Sequence, residues 1–178
     1  MTSQRSSVVR PEDVAAEAWR NGLGTTRVLA KGPGWRISLA QIADDVPFSR
    51  YPDVDRVLLP VGDEPLALLV DDERRLLRPG THTAFPGEAA VRTEGVTEPV
   101  RVLNVMVERG ACTCRIESAD VAGPPPEGDE TLFAVLAGEA RLGAVTLPPG
   151  SLVRPVGLSE TVCARDARLA LIRLRSAR

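Results

Sequence analysis

Few side chains in this sequence could hold a metal, a proton or an anion. Its 178 residues include one histidine (His82) and three cysteines (Cys112, Cys114, Cys163). A zinc site needs about four Cys, His or carboxylate ligands at short spacings, so no metal and no cofactor are expected. Cys112-Thr113-Cys114 has one intervening residue where redox and zinc pairs have two, and reads as ordinary buried thiols. Three cysteines cannot form an even disulfide framework, which fits a reducing, cytoplasmic setting. The lone histidine, two residues after Gly80, reads as an exposed or satisfied loop residue.

The residues better suited to chemistry are arginines and aromatics. Among 22 basic residues only Lys31 is lysine, and 24 acids balance them to a net charge of −2. The arginines are scattered, without a basic run or interleaved aromatics, so nucleic acid is not an expected partner. There are two tryptophans, one tyrosine and three phenylalanines. Trp19, Trp35, Phe48, Tyr51 and Phe85 all fall in the first half, beside glycines and polar groups. The segment Trp19–Thr26 (WRNGLGTT) joins an aromatic to an Asn-Gly turn and two hydroxyls. Pro47–Arg56 (PFSRYPDVDR) brings two aromatics, a serine and two arginines, while Arg36 and Ser38 share a strand face. Arginine binds carboxylates through charge-assisted, often bidentate bonds. Glycine-flanked N–H groups and an Asn side chain supply further donors, and aromatics exclude water. Such a set suits a small polar ligand with a carboxylate. The same residues also read as a plain turn, as Arg36 or Arg56 paired with Asp53 or Asp55, and as core aromatics.

These residues must be positioned by short strands. Trp35–Ile42 alternates, with Trp35, Ile37 and Leu39 on one face and Arg36, Ser38 and Ala40 on the other. Arg101–Glu108 places Leu103, Val105 and Val107 opposite Asn104 and Met106. Asp53-to-Val61 and Leu66–Val70 read as strands joined by a turn at Gly62-Asp63-Glu64-Pro65. Pro11–Trp19 reads as a short helix, from the proline in its first turn and the acids after it. Residues 1–10 read as a disordered N-terminus without a signal-peptide core. No apolar run reaches the roughly 18 residues of a membrane span.

Two segments repeat: LRPGTHTAFPG (Leu77–Gly87) and LPPGSLVRPVG (Leu147–Gly157), each preceded by an apolar run and a glycine turn. This pattern resembles the cupin form of the jelly roll. Its duplication implies an all-β bicupin, two fused double-stranded β-helix barrels in one compact chain. The halves would be residues 11–114 and a shorter 131–178, joined by an acidic, proline-rich linker over 115–130. In metal-binding cupins the first histidine falls three residues after the Pro-Gly glycine. Here the spacing is two, a shift that turns a strand side chain to the opposite face. The second half has Ser151, Leu152 and Val153 there.

W-x-N-G-x-G-x-T at Trp19–Thr26, WRISLA at Trp35–Ala40, FSRYPDVDR at Phe48–Arg56, AFPGE at Ala84–Glu88 and LNVMVERG at Leu103–Gly110 together resemble the HutD/Ves family. The resemblance covers roughly residues 15–110. It implies a metal-free bicupin without an established enzymatic activity, associated with histidine utilisation and thought to bind a metabolite such as N-formylglutamate as a regulator of flux. By matched position, the implied ligand-binding residues are Asn21, Gly22, Gly24, Thr26, Arg36, Ser38, Phe48, Ser49, Arg56, Phe85, Asn104 and Met106, with no catalytic residue assigned. Three positions depart from the family pattern: Leu23 where glycine is common, Tyr51 where Phe is, and Asp53 where glycine often follows Pro. Leu23 would narrow the loop, and Asp53 would alter the charge near Arg56. A metal-free cupin isomerase or hydrolase is the competing reading, with His82, Asp55 or Glu88 as its acid or base. An assembly module is a third, and the sequence leaves a homodimer open.

Overall fold

The computed structural model describes residues 7–19, 22–119, 121–122, 130–155 and 162–177. In chain order the strands are β1 (Ser7–Val9), β2 (Glu17–Ala18), β3 (Gly24–Gly32), β4 (Trp35–Ile42), β5 (Val54–Val61), β6 (Leu66–Val70), β7 (Glu73–Leu77) and β8 (Thr83–Pro86). They continue as β9 (Val91–Glu94), β10 (Val100–Glu108), β11 (Cys112–Ala119), β12 (Val121–Ala122), β13 (Glu130–Leu142), β14 (Val145–Leu147), β15 (Leu152–Arg154) and β16 (Val162–Ser176). The all-β expectation holds, and the strands form three sheets. One runs β2-β3-β4-β10-β5-β8 and a second β7-β6-β9. The third follows β1-β15-β13-β16-β11, with β12 on β16 and β14 on β13. None of the three closes on itself.

Alternation along the strands builds the cores. Ile37 and Leu39 of β4 and Leu103, Val105 and Val107 of β10 pack with Leu132, Leu136 and Ile172 of the third sheet. Ile37, Leu103 and Val105 have no exposed surface, and full burial of such a side chain contributes about 1.5–3 kcal/mol. The opposite face of β4, β5 and β10 carries Ala40, Ile42, Leu58 and Val102, which pack on Leu66, Leu68 and Val91 of the small sheet. A third cluster (Phe133, Val135, Val153, Leu169) lies within the β1–β15–β13–β16 sheet.

The two repeated turns share one local geometry. Leu77 and Leu147 are buried strand ends. Gly80 and Gly150 both take positive φ, +84° and +95°, a conformation that suits glycine. In each turn the residue after glycine donates its N–H two residues back past it, Thr81 to Arg78 O and Ser151 to Pro148 O. Each turn then feeds a short strand, β8 or β15.

Four expectations give way. The helix over 11–19 is only a 3-10 turn at Pro11–Asp13, because β2 pairs with β3 and takes Glu17 and Ala18 into the sheet. Residues 7–9 are ordered as β1 against β15, where tertiary pairing overrides the polar composition. The 115–130 segment contains the end of β11 and all of β12, both paired with β16; residues 123–129, with the triple proline, lie outside the described residues. The strand expected from Asp53 starts at Val54, since Asp53 takes φ +59°.

Candidate functional site

Arg36, Met106 and Arg56 stand in register across β4, β10 and β5, and Phe85 of β8 lies opposite Arg56. All point away from the large core, since their neighbours Ile37, Val105 and Val107 occupy it and successive strand residues face opposite sides. One row further along stand Ser38, Asn104 and Leu58, and beyond them Ala40, Val102 and Pro60. This face forms the floor of a cavity of about 580 Å³. The Pro47–Tyr51 segment walls it, held by Phe48 N–H donating to Val91 O and Tyr51 N–H to Gly87 O.

Arg56 is the centre of the site. Only 5% of its surface is exposed. Its guanidinium carbon lies 5.3 Å from the ring centres of Phe48 and Phe85 and 5.6 Å from that of Tyr51. Nε donates to Asn104 Oδ1 at 3.4 Å and Nη1 to Ser49 O at 3.1 Å. No carboxylate is bonded to it among the described residues. Burial lowers its pKa well below the usual arginine value, to about 10; Tyr51 opposes that shift, and the like charge of Arg36 adds to it. At neutral pH it is a cation enclosed by rings and neutral acceptors. Arg36, half-buried, donates to Met106 Sδ at 3.1 Å and lies 5.9 Å from the Tyr51 ring. Among the described residues, the lining contains three arginines (Arg36, Arg50, Arg56) against one carboxylate, Glu17.

The acids near Arg56 in sequence are engaged elsewhere. Arg109 binds Asp55 Oδ1 through Nε at 2.7 Å and both Glu88 oxygens at 2.8 and 2.7 Å. Glu88 Oε1 also accepts from Asp53 N–H at 2.9 Å. The Arg109 guanidinium and the Asp53 N–H hold the Glu88 carboxyl down, to about 2. Pairing of Arg56 with Asp53 or Asp55 is thus corrected: Asp55 projects from the other face of β5, onto Arg109. Asp53 itself is held through its backbone, its N–H on Glu88 and its carbonyl on Arg109 N–H. Its left-handed φ accounts for the glycine common at this position, and Asp tolerates that conformation better than most residues.

Of the residues proposed from sequence, Thr26, Arg36, Ser38, Phe48, Ser49, Arg56 and Asn104 line the cavity. Phe85 and Met106 support it from behind, one stacked on Arg56 and the other accepting from Arg36. Gly22 and Gly24 lie outside the lining and shape the turn that presents Trp19. Gly22 N–H donates to Trp19 O and Trp19 N–H to Gly24 O, and a Cβ on Gly24 would meet the Trp19 ring at 3.0 Å. Leu23 is likewise outside the lining, 41% exposed. Asn21 lies outside the described residues. Trp19 and Tyr51 were noted as aromatics and not as site residues, yet both line the cavity. Trp19 Nε1 donates to Thr26 Oγ1 at 2.7 Å, and its ring meets Phe48 edge-on at 6.1 Å. Their membership in the two motif segments was the available signal. His82 is exposed, and among the described residues no cluster of three or more His, Cys, Asp or Glu is placed to hold a metal ion. Nor, among them, is any helix long and apolar enough to cross a membrane.

Comparison with known proteins agrees with the motifs. Protein Ves of Cronobacter sakazakii is 30% identical over 138 residues, 74% of this chain and 76% of its own. The structure of HutD from Pseudomonas fluorescens SBW25, solved in a formate condition, superposes with a TM-score of 0.81 at 26% identity, covering 96% of this chain and 98% of that one. A cupin 2 conserved barrel domain protein from Leptotrichia buccalis gives a TM-score of 0.56 at 12% identity over 98% of both chains, which establishes a cupin-like fold. The HutD family model matches residues 11–155, and the chain belongs to the HutD family.

Proposed function

We propose that this protein is a metal-independent bicupin that binds a small carboxylate-bearing metabolite in the inner-sheet cavity and serves as a sensor or regulator in the cytoplasm. The carrying observation is Arg56: a guanidinium 5% exposed, with no acidic partner among the described residues. Burying an unpaired charge is unfavourable by several kcal/mol and persists where a ligand of opposite charge completes it. Arg36, across Met106 from Arg56, supplies the second cation. The matching geometry of the Gly80 and Gly150 turns supports reading the chain as two related halves. Family membership, with the family's association with histidine utilisation, makes N-formylglutamate or a related histidine-degradation intermediate the first candidate ligand. Among the described residues, the lining offers guanidinium, hydroxyl and amide donors, and contains neither imidazole nor thiol.

Isothermal titration with N-formylglutamate, glutamate, urocanate and formate tests this. A saturable heat with at least one is expected, abolished in Arg36→Ala and Arg56→Ala, since a charged hydrogen-bond partner is worth about 1.5–3 kcal/mol. Absence of heat with all four would overturn the ligand class.

A further inference from the structure

Beyond its cations, the cavity has a fixed order of chemistry along the strands. The row Arg36–Met106–Arg56 is followed by Ser38–Asn104–Leu58 and then Ala40–Val102–Pro60, each step two residues, about 6.6 Å. Ser38 is 1% exposed and Asn104 8%, and both line the cavity. The Asn104 carboxamide oxygen is taken by Arg56 Nε. What remains to that side chain is its NH2 group, which only donates. The Ser38 hydroxyl bonds to no protein group among the described residues and keeps some surface open to the cavity. In the third row Ala40 and Val102 are apolar and buried. Thr26, opposite Ala40, has its hydroxyl oxygen engaged by Trp19 Nε1.

We propose that the ligand carries, one row beyond its carboxylate, a neutral carbonyl oxygen received by Ser38 and Asn104. The inference rests on the reading that the cavity binds a carboxylate at Arg36 and Arg56. An alkyl chain in the second row would leave two buried donors without acceptors, the situation in which hydrogen-bonding sites discriminate most strongly. A second carboxylate in that row would be desolvated against buried Leu58, with Arg36 and Arg56 already committed to the first. An ammonium would meet donors and the repulsion of two arginines. The chemical class is therefore a carboxylate whose next polar group, about 6.6 Å along, is a keto or amide oxygen.

The test is isothermal titration of the full chain with four acids of similar length: 5-oxohexanoate, hexanoate, adipate and 6-aminohexanoate. The oxo acid is expected to bind about tenfold or more tighter than each of the others. Ser38→Ala should remove most of that preference, weakening the oxo acid and tightening hexanoate, whose chain no longer buries an unpaired hydroxyl, while an unchanged circular dichroism spectrum certifies that the variant folds; Asn104→Ala should do the same to a lesser degree, because it also frees Arg56 Nε. Hexanoate or adipate binding as tightly as the oxo acid would overturn the inference and leave the carboxylate reading standing. So would a preference that survives both substitutions. Failure of all four acids to bind would bring down the carboxylate reading, and this inference with it.

Discussion

Replacing Arg56 with methionine separates a residue kept for ligand binding from one kept for stability. Arg56 is held as a desolvated cation, its pKa lowered well below the usual arginine value, to about 10. At 1.36 kcal/mol for each unit, burial disfavours the charged form by about 3 kcal/mol. The sign follows from the direction: a base with a depressed folded pKa destabilises the fold at neutral pH, and that penalty fades as pH rises above about 10 toward the usual arginine value. Against it stand three ring contacts, at about 0.5–1 kcal/mol each, and two hydrogen bonds to neutral oxygens, at about 0.5–1.5 kcal/mol each. The terms nearly cancel. Methionine fills a similar volume among Phe48, Tyr51 and Phe85, so Arg56→Met should change stability by no more than about 1–2 kcal/mol. In a chain of this size that moves the melting temperature by roughly 2–4 °C per kcal/mol. Differential scanning calorimetry of both proteins without ligand measures the shift, and titration with the best-binding carboxylate measures the loss of affinity. A drop above about 10 °C, or undiminished binding, would refute the reasoning, since Arg56 would then be a structural keystone or irrelevant to the anion.

Three other outcomes follow from particular contacts. Glu88→Gln weakens the Arg109 clamp that holds Asp53 and Asp55. Because the Glu88 pKa is lowered to about 2, its stabilisation is present above the ordinary carboxylate range and lost as pH falls toward 2. The melting-temperature gap between parent and variant should therefore be constant from pH 6 to 8 and close on acidification. Gly87→Ala places a Cβ 2.3 Å from Tyr51 O and 2.8 Å from Val54 O. Relieving that overlap should lose about 1–3 kcal/mol in urea unfolding, with weaker ligand binding as the Tyr51 wall moves. Burial raises the Cys114 thiol to about 12 and the Cys112 thiol in the same direction. Mass spectrometry should find neither alkylated by iodoacetamide at pH 8 in the native protein, and both alkylated after denaturation.

Much of the site was legible because strand periodicity is local. The alternation in WRISLAQI separated Ile37 and Leu39, which reach the large core, from Arg36 and Ser38, which reach the cavity. The same held for Leu103 and Val105 against Asn104. The helix over 11–19 failed because local signals at Pro11, Glu12 and Asp13 were outweighed by the pairing of Glu17 and Ala18 with Thr26 and Thr25. Gly22 and Gly24 were matched by motif, but their part is to fix the turn carrying Trp19, a role that only the contacts around the turn reveal.

By itself the sequence determined the fold class, the family and which strand faces carry polar side chains, since side-chain alternation and turn glycines are properties of neighbouring residues. Tertiary structure alone decided partnership. Arg109 lies 54 residues from Asp55 and 21 from Glu88, yet takes both, and so leaves Arg56 to the rings and to the cavity. Register across β4, β10 and β5 then sets guanidiniums, donors and apolar groups in successive rows. That order arises from hydrogen-bonded pairing between distant strands.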